Sequence, residues 1–450
     1  MSFLRIKTLE EFNYSFKIFF NEYSFFTIKI IVMTLLLSIV ELVSMSMILP
    51  LMSLGLENQE LNPLLEFLKG LFSEFGLNYT FNSIFIVFIF FYLLKILFVL
   101  LVGVYVDKAA YFISADLREK VVKGLQSSSW SFYKSKKQGL IANLLTLEIN
   151  NCSENFRNAI SIIESFFLFL IYICLGVFIS YESLIAIGLL ILISFFFFKP
   201  FFRMAREGGK QKVKDIREMS SSINSGLRSL KIFKATNNER FIINSLLSSN
   251  LNYLKANVLS VKSKRYLEAS QNIIQLFGFT VGLYFVRDYL MLNLIEIGFL
   301  GYVYIKLYTH VANISKKYQV LTNNIPFLKR VKSFINELDE NKEHSFGNVI
   351  PKLPSQITIK DISFKFGKVR ILDKISFTIP KFGLSILFGI SGVGKTTLLD
   401  LITGLYKIEK GEILVGKTNI RNLKISTFRN NIGYVTQDPF LMIGSIKENI

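Results

Sequence analysis

Long runs of apolar residues alternate with polar segments over the first part of the chain. A helix that crosses a membrane needs roughly 20 consecutive, mainly apolar residues. Six runs reach that length, and they predict six transmembrane helices in a membrane domain over residues 25–325. The predicted spans are 25–54, 81–106, 160–180, 183–202, 272–292 and 294–312.

The segment between the first two predicted spans has a different periodicity. Over residues 58–77, leucine and phenylalanine recur at helical spacing, and Glu66, Lys69 and Glu74 lie between them. This spacing predicts an amphipathic helix. Two interpretations remain open: the helix lies on the outer membrane surface, or it packs as an ordinary loop helix.

Basic residues concentrate in two long segments between the predicted spans. Residues 107–159 and 203–271 are rich in lysine and arginine, whereas residues 55–80 contain one lysine and four glutamates. Because basic segments stay on the cytoplasmic side of a membrane, both long segments and both chain ends are predicted to be cytoplasmic. The net charge of +19, from 52 basic and 33 acidic residues, has the same topological origin, so no nucleic-acid partner is predicted.

Composition favours a multi-pass protein of the cell membrane. The hydrophobic fraction is 51% and the mean hydropathy is +0.43. Residues 1–24 are predicted to be a cytoplasmic segment without a cleavable signal, because the apolar run that follows is too long for a signal-peptide core. Two cysteines and two histidines predict neither a disulfide framework nor a histidine metal site.

Both long basic segments have helical periodicity and little proline or glycine, so they are predicted to continue the membrane helices into the cytoplasm. Each segment then needs a short polar stretch in which the chain reverses direction. The candidate turns are Trp130–Lys137 and Phe233–Arg240. We expect these turns to reach toward the domain that follows the last span.

The pattern changes to that of a soluble α/β domain after the sixth predicted span. Residues 326–355 are polar and contain Pro351 and Pro354, which predicts a linker. The fold class is therefore multi-domain: a six-helix, all-α membrane domain is followed by the amino-terminal part of an α/β domain over residues 356–450. Its predicted strands are Ile357–Phe366, Leu372–Ile379 and Leu384–Phe388.

A glycine-rich loop follows the third predicted strand, and a helix is predicted after it over Thr397–Leu405. The loop fits the pattern G-x-x-x-x-G-K-[ST], in which backbone N–H groups surround a phosphate at the start of a helix. In this pattern Lys395 reaches the β- and γ-phosphates, and the Thr396 hydroxyl binds Mg²⁺. ATP and Mg²⁺ are the predicted ligands of Gly389, Ile390, Ser391, Gly392, Val393, Gly394, Lys395, Thr396 and Thr397.

Six spans with long cytoplasmic segments, a linker and this loop resemble an ABC exporter half-transporter, and the resemblance covers nearly the whole chain. The resemblance makes Phe366 the aromatic that stacks on adenine, where the family usually has tyrosine; a core phenylalanine at a strand end is the alternative. It makes Gln437, between the strand-like 432–436 and the sequence S-I-K-E-N-I, the glutamine that contacts Mg²⁺ and the attacking water.

The resemblance also implies motifs that do not follow Gln437 within residues 438–450. These are an L-S-G-G-Q-like signature, an acidic residue that positions water and a switch histidine, whereas His310 and His344 both precede the glycine-rich loop. The acidic base and the switch histidine are expected beyond Ile450. As a fragment, the chain is expected to bind nucleotide poorly and not to hydrolyse it.

Two ionisable residues lie near the middle of predicted spans, where inserting a charge costs roughly 2.5–3.5 kcal/mol. Glu41 lies in the first span and Lys95 in the second. They either pair and join two helices, or line a substrate cavity and contact a polar head group. The nearby Ser44, Ser46 and Pro50 favour the cavity, because this stretch is more polar and less regular than a packing face.

The resemblance implies an ATP-driven exporter or flippase that works as a dimer with a second half-transporter, identical or different, in contact with membrane lipids and a transported substrate. Glu41–Pro50 and the helix at 58–77 resemble those of lipid-linked oligosaccharide flippases. Peptide exporters with an amino-terminal cysteine protease domain are easier to exclude, because only about 24 residues, none of them cysteine, precede the first predicted span. Two alternatives remain: a membrane-anchored P-loop regulatory ATPase without transport, and a truncated, non-hydrolysing product.

Overall fold

In the computed structural model, the described residues are 14, 16–54, 63–136, 138–179, 229–290, 294–343, 347–436 and 441–449, with isolated positions or pairs between 182 and 226. They divide into two compact units. The helical unit lies within residues 1–119 and 142–333, and the mixed unit lies within residues 120–141 and 334–450.

The first part of the chain is helical wherever the structure describes it. In chain order the helices are α1 (Ser24–Ser46), α2 (Ile48–Ser53), α3 (Pro63–Glu74), α4 (Phe81–Ser127), α5 (Trp130–Ser135), α6 (Gln138–Asn143), α7 (Ile149–Ile179), α8 (Glu239–Leu290) and α9 (Leu294–Glu340). A π-helical turn, Leu144–Glu148, joins α6 to α7.

Three described helical stretches are long and apolar enough to cross a membrane: Ser24–Ser53, Phe81–Ser127 and Gly139–Ile179. They overlap the first three predicted spans, apart from residues 54 and 180 at the span ends. That these helices cross a membrane at the predicted bounds stays a prediction. The fourth predicted span, 183–202, lies almost wholly outside the described residues. Residues 272–290 of the fifth lie in α8 and the sixth lies in α9. Both helices are described but are not among these three stretches.

Helix α4 exposes apolar side chains along its predicted membrane-spanning part. Ile86, Leu93 and Leu100 are 67%, 59% and 61% exposed. An exposed apolar surface of this length is unfavourable in water but is the expected surface of a helix surrounded by lipid. The pattern therefore agrees with a position of α4 in the membrane.

Helix α3 is the amphipathic helix predicted over 58–77, of which residues 58–62 lie outside the described part. Its apolar face joins a buried cluster that also contains Tyr172 of α7 and Phe299 of α9. The packed loop helix, one of the two interpretations, is therefore what the structure shows. The buried residues of α3 are Leu64, Leu65, Leu68 and Phe72.

At both predicted turns the long helices are interrupted, while the cytoplasmic position of the turns stays a prediction. The first is the short helix α5, which follows the end of α4 at Ser127. In the second, a helical stretch ends at residue 235, Thr236–Asn238 form the turn and α8 begins at Glu239. Asn237 has φ 49°, a left-handed conformation that asparagine adopts more readily than most residues.

The predicted linker differs from the observed structure in its first half. Helix α9 continues through Pro326 to Glu340, so that part of the 326–355 range is helical. Leu328, Val331 and Leu338 are buried at helical spacing. The many charged residues between these apolar positions make the segment polar on average. That average polarity led to the prediction of a linker instead of a helix.

The mixed unit contains an antiparallel sheet of order β2-β1-β3-β4. Its strands are β1 (Ile357–Phe366), β2 (Val369–Ile379), β3 (Lys410–Val415) and β4 (Thr418–Asn419). The α-helices that follow β2 in the chain are α10 (Lys395–Ile402), α11 (Ile425–Arg429) and α12 (Ile446–Asn449). Central pairs are Ile359 with Phe377 and Ile359 with Ile413. Ile359, Ile413 and Leu401 of α10 lie in one buried core, so the first two predicted strands are confirmed.

The third predicted strand, Leu384–Phe388, is not a strand in this structure. A strand is defined by hydrogen bonds to a neighbouring strand, and the sheet of the described residues does not include this segment. Leu384 and Phe388 are 86% and 89% exposed. The prediction of a buried strand was therefore wrong for the conformation described.

Candidate functional site

The glycine-rich loop 389–394 leads directly into α10. Gly392 and Gly394 have φ values of 83° and 103°, and Gly394 is the residue before the first turn of the helix. Residues in the left-handed conformation within a tight loop turn successive backbone N–H groups toward one concave site, which can bind an anion. The loop therefore has the backbone that the sequence pattern predicts.

Lys395 folds back over this loop. Its Nζ donates to the carbonyl oxygens of Gly389 at 2.7 Å and Ile390 at 2.9 Å. These acceptors are neutral, and within the described part of the chain no carboxylate lies within salt-bridge distance of Lys395. The ammonium charge is therefore available to an anion at the start of α10, where the exposed Thr396 side chain also lies.

Gly394 is required by both conformation and space. A Cβ atom there would lie 2.9 Å from Ile371 Cγ2 and Leu372 Cδ2. We expect Gly394→Ala to lower the free energy of unfolding by about 1–3 kcal/mol, the usual cost of a strained backbone position, and to displace the loop. Thermal unfolding measures this against Gly433→Ala, whose Cβ would meet nothing within 4 Å. Equal melting temperatures for the two variants would contradict the strain.

Helix α10 ends at Ile402, before the predicted end at Leu405. Gly404 has φ 72°, its N–H donates to the Leu401 carbonyl at 3.1 Å, and the Leu405 N–H donates to the Asp400 carbonyl at 2.8 Å. This pair of bonds is a Schellman motif, which closes a helix at a left-handed glycine. The predicted helix was too long because Gly404 terminates it.

Phe366, the predicted adenine-stacking residue, is 37% exposed at the end of β1. Its ring makes edge contacts with Phe364 and Tyr406, at centroid distances of 4.9 and 5.2 Å. Lys134 of α5 places its Nζ 5.3 Å from the Phe366 ring centroid. The first predicted turn and Phe366 therefore lie together in the mixed unit.

Asp400 connects α10 to the segment 432–436. Tyr434 donates its hydroxyl to Asp400 Oδ1 at 3.0 Å. Burial, and next the hydrogen bond to Asp400, raise the pKa of Tyr434 above its ordinary value. The tyrosine thus stays protonated and keeps the segment bound to α10, although 432–436 does not form the predicted strand.

Gln437 lies outside the described residues, so its predicted contact with Mg²⁺ and water stays a prediction. The sequence that follows it does have a defined local structure. The Ser445 N–H donates to Glu448 Oε2 at 2.7 Å, and the Glu448 N–H donates to Ser445 Oγ at 3.4 Å. These reciprocal bonds are a capping box that starts α12.

Glu41 and Lys95 are brought together within the helical unit. Lys95 Nζ lies 3.1 Å from Glu41 Oε1, and the Tyr172 hydroxyl donates to the same oxygen at 2.6 Å. The Glu41 residue is 5% exposed. One carboxylate therefore joins α1, α4 and α7, which is the geometry of the helix pairing that the sequence left open. A contact with a substrate cavity stays a prediction.

Three residues at these sites were not identified from the sequence. Tyr172 lies in an apolar run and has a single polar side-chain atom. The only signal for its role is that a buried tyrosine hydroxyl usually needs a hydrogen-bond partner. Lys134 and Tyr406 surround Phe366. Their positions depend on contacts between distant segments, for which the sequence contains no local pattern.

Two family models match this chain. Residues 372–449 match the model described as ABC transporter, and residues 27–300 match the model described as ABC transporter transmembrane region. The first match begins in β2 and includes the glycine-rich loop, α10 and the capping box. The second covers residues 27–53 of the first apolar helical stretch and all of the other two.

Individual relatives are distant. The chain is 24% identical over 345 residues to the uncharacterized ABC transporter ATP-binding protein YfiC of Bacillus subtilis. The matched region covers 74% of this chain and 56% of that protein. It is 28% identical over 279 residues to the mesentericin-Y105 transport/processing ATP-binding protein MesD of Leuconostoc mesenteroides, covering 60% and 37%. It is 25% identical over 359 residues to the ATP-dependent lipid A-core flippase of Syntrophus aciditrophicus, covering 75% and 57%.

The chain thus spans about half the length of these curated relatives. A transport/processing protein and a lipid A-core flippase are similar to it at nearly the same identity. The likeness to a flippase is therefore no closer than the likeness to another kind of exporter.

Proposed function

Because this chain belongs to the ABC transporter family, we propose that it is one half of an ATP-driven exporter or flippase of the cell membrane. The family is one of ABC-type transmembrane transport, and the chain is a multi-pass membrane protein with an ABC ATPase region. The observation that carries the proposal is the placement of Lys395 over a left-handed glycine loop at the start of α10, in a chain with long apolar helices.

The loop fits the polyphosphate of ATP. Among the described residues, Lys395 contacts neutral carbonyl oxygens and no carboxylate in its folded-back position, so it can turn to phosphate oxygens without breaking one of the described ion pairs. The Thr396 hydroxyl is exposed beside it and would hold Mg²⁺. Mg²⁺ neutralises charge on the phosphates when bound, and Gln437 is proposed to position the ion and the attacking water.

Phe366 is proposed to hold adenine by stacking, which needs an aromatic face and no particular base edge. We expect Phe366→Ala to weaken ATP binding several-fold, and Phe366→Tyr to leave it unchanged or stronger, because the ring is kept. Fluorescent-nucleotide titration of the complete protein measures the three affinities. Equal affinity for all three proteins would show that Phe366 is a core residue. Its contacts with Phe364 and Tyr406 are compatible with that role.

The proposed working form is a dimer with a second half-transporter. The family model for the transmembrane region covers one set of helices, and half-transporters of this kind typically pair. ATP is then proposed to bind between two ATPase domains. These domains and the chain ends are proposed to lie on the cytoplasmic side of the membrane. Closure of the domains is proposed to reach the membrane helices through the turns at 130–137 and 233–240.

For the transported substrate we propose an amphipathic molecule with a polar head group, of the class of lipid-linked saccharides. The polar cluster of Glu41, Lys95 and Tyr172 supports this proposal, because it offers charged and hydroxyl groups among apolar helices. The lipid A-core flippase among the relatives also supports it. Peptide substrates are the competing class.

The test of this function is ATP-dependent movement of a fluorescent lipid-linked saccharide in vesicles that contain the complete protein. We expect movement with MgATP and none with Lys395→Ala. ATP turnover without movement of either a lipid or a peptide probe would indicate the regulatory ATPase instead. Movement of the peptide probe alone would retain export but reject the lipid class.

A further inference from the structure

Arg429, the last residue of α11, joins separate segments of the mixed unit through one guanidinium group. Its Nη1 and Nη2 contact the two carboxylate oxygens of Glu343 at 3.3 and 2.7 Å. Its Nε donates to the Thr403 carbonyl at 3.0 Å, and Nη2 donates to the Gly404 carbonyl at 2.9 Å. Only a planar, forked cation serves this arrangement, so lysine is not an equivalent residue.

Thr403 and Gly404 form the carboxyl-terminal end of α10, the helix that begins with Lys395. The last carbonyl groups of a helix lack intrahelical partners and carry partial negative charge. Arg429 satisfies two carbonyl groups at this end, while the other end of the same short helix lies at the glycine-rich loop. A displacement of α10 at the loop therefore moves the acceptors of Arg429.

Glu343 lies beside the first cytoplasmic turn. Its N–H donates to the Ser127 carbonyl at 2.8 Å, and the Ser129 N–H donates to the Asn341 carbonyl at 2.9 Å. Ser128 and Lys342 form an antiparallel bridge between these bonds. The segment that carries Glu343 is thus bonded, through its backbone, to the residues immediately before α5.

We propose that Arg429 and Glu343 are positioning residues that couple nucleotide binding at the glycine-rich loop to the first cytoplasmic turn. The proposal rests on the proposed function, because it needs ATP at the loop. The route runs from α10 through the Arg429 guanidinium to the Glu343 carboxylate, and from the Glu343 backbone to α5. Every contact on this route lies within the mixed unit.

Hydrogen exchange of the complete protein in vesicles, with and without MgATP, tests this route. In the parent we expect ATP to slow exchange at least about fivefold in peptides covering both α10 and residues 127–135, because bound nucleotide suppresses local opening. In Glu343→Gln we expect the slowing to remain in α10 and to disappear at residues 127–135. Glu340→Gln removes the same charge from an exposed residue of the same segment and should behave as the parent.

Arg429→Lys tests the other half of the pair. We expect it to remove the slowing at residues 127–135 as Glu343→Gln does, and the double variant to be no worse than Arg429→Lys alone, because both changes interrupt one route. Melting temperatures should change little for Glu343→Gln, because both side chains are about one third exposed. A large loss of melting temperature with equal slowing at both sites would assign the pair a structural role and overturn the proposal.

The two possible failures have different signatures. If the parent shows no ATP-dependent slowing in α10, the loop does not bind ATP, and the proposed function fails together with this inference. If α10 responds equally in parent and variants, and residues 127–135 also respond equally, ATP binding stands and only the coupling role of Arg429 and Glu343 is overturned.

Discussion

Lys395→Ala is expected to reduce ATP turnover by the complete protein at least about 100-fold, because it removes the cation that stabilises charge on the β- and γ-phosphates. The structure makes the reason specific. Lys395 is the cation that caps the loop, through bonds to the Gly389 and Ile390 carbonyl oxygens. Membrane insertion should be unchanged, because the residue belongs to the mixed unit and to none of the apolar helical stretches.

Phosphate release from vesicles measures this effect, and the amount of protein in the membrane fraction measures insertion. Lys381→Ala is the matched control, because Lys381 is a lysine of the same domain that follows β2 and contacts Phe382 instead of the loop. The control should keep turnover within about twofold of the parent. Turnover of Lys395→Ala within the same range would reject the assignment of the loop.

Lys95→Met is expected to destabilise the helical unit strongly. It leaves Glu41, which is 5% exposed, without the cation that lies 3.1 Å away. Removing one partner of a buried ion pair typically costs about 3–5 kcal/mol, because the remaining charge is uncompensated. Glu41→Gln should destabilise less, because a neutral amide can still accept the hydrogen bond that Tyr172 donates.

The double variant, Glu41→Gln with Lys95→Met, should recover most of the lost stability, because neither charge is then isolated. Melting temperatures in detergent measure all three variants. Lys306→Met is the matched control, since Lys306 lies over the Tyr302 ring at 5.5 Å and has no carboxylate partner among the described residues. Additive losses without recovery would contradict the pair.

The same variants also distinguish pairing from contact with a substrate. If Glu41 contacts the head group of the substrate, Glu41→Gln should keep stability and basal ATP turnover but lose the stimulation of turnover by substrate. The sequence favoured this cavity, because Ser44, Ser46 and Pro50 make the stretch more polar and less regular than a packing face. The structure adds a reason for pairing, because the carboxylate already has two partners. Stability and stimulated turnover, measured on one set of proteins, separate the two roles.

Features that depend on neighbouring residues were predictable from the sequence. The loop 389–397 is specified by glycines at positions where a side chain would clash or strain the backbone, as Gly394 shows. Long apolar runs are helical because every backbone group is satisfied within the helix. The spacing of apolar residues in α3 likewise predicted an amphipathic helix, and its core, Pro63–Glu74, is observed.

Features that depend on distant partners were decided by the tertiary structure. Whether α3 packs or lies on a surface depends on the buried cluster that its apolar face joins, which also contains Tyr172 and Phe299. Leu384–Phe388 has the composition of a strand, but a strand also needs a neighbour with which to exchange hydrogen bonds. Its own residues cannot supply that neighbour.

The ion pairs also combine a part that the sequence predicts with a part that only the tertiary structure decides. The sequence identified Glu41 and Lys95 because a charge within an apolar run is costly wherever it lies. That Tyr172 shares the Glu41 carboxylate, and that Arg429 reaches both Glu343 and the end of α10, has no local signature. A side chain's partner is determined by which segments folding brings within about 3 Å of it, and that distance exists only in the folded chain.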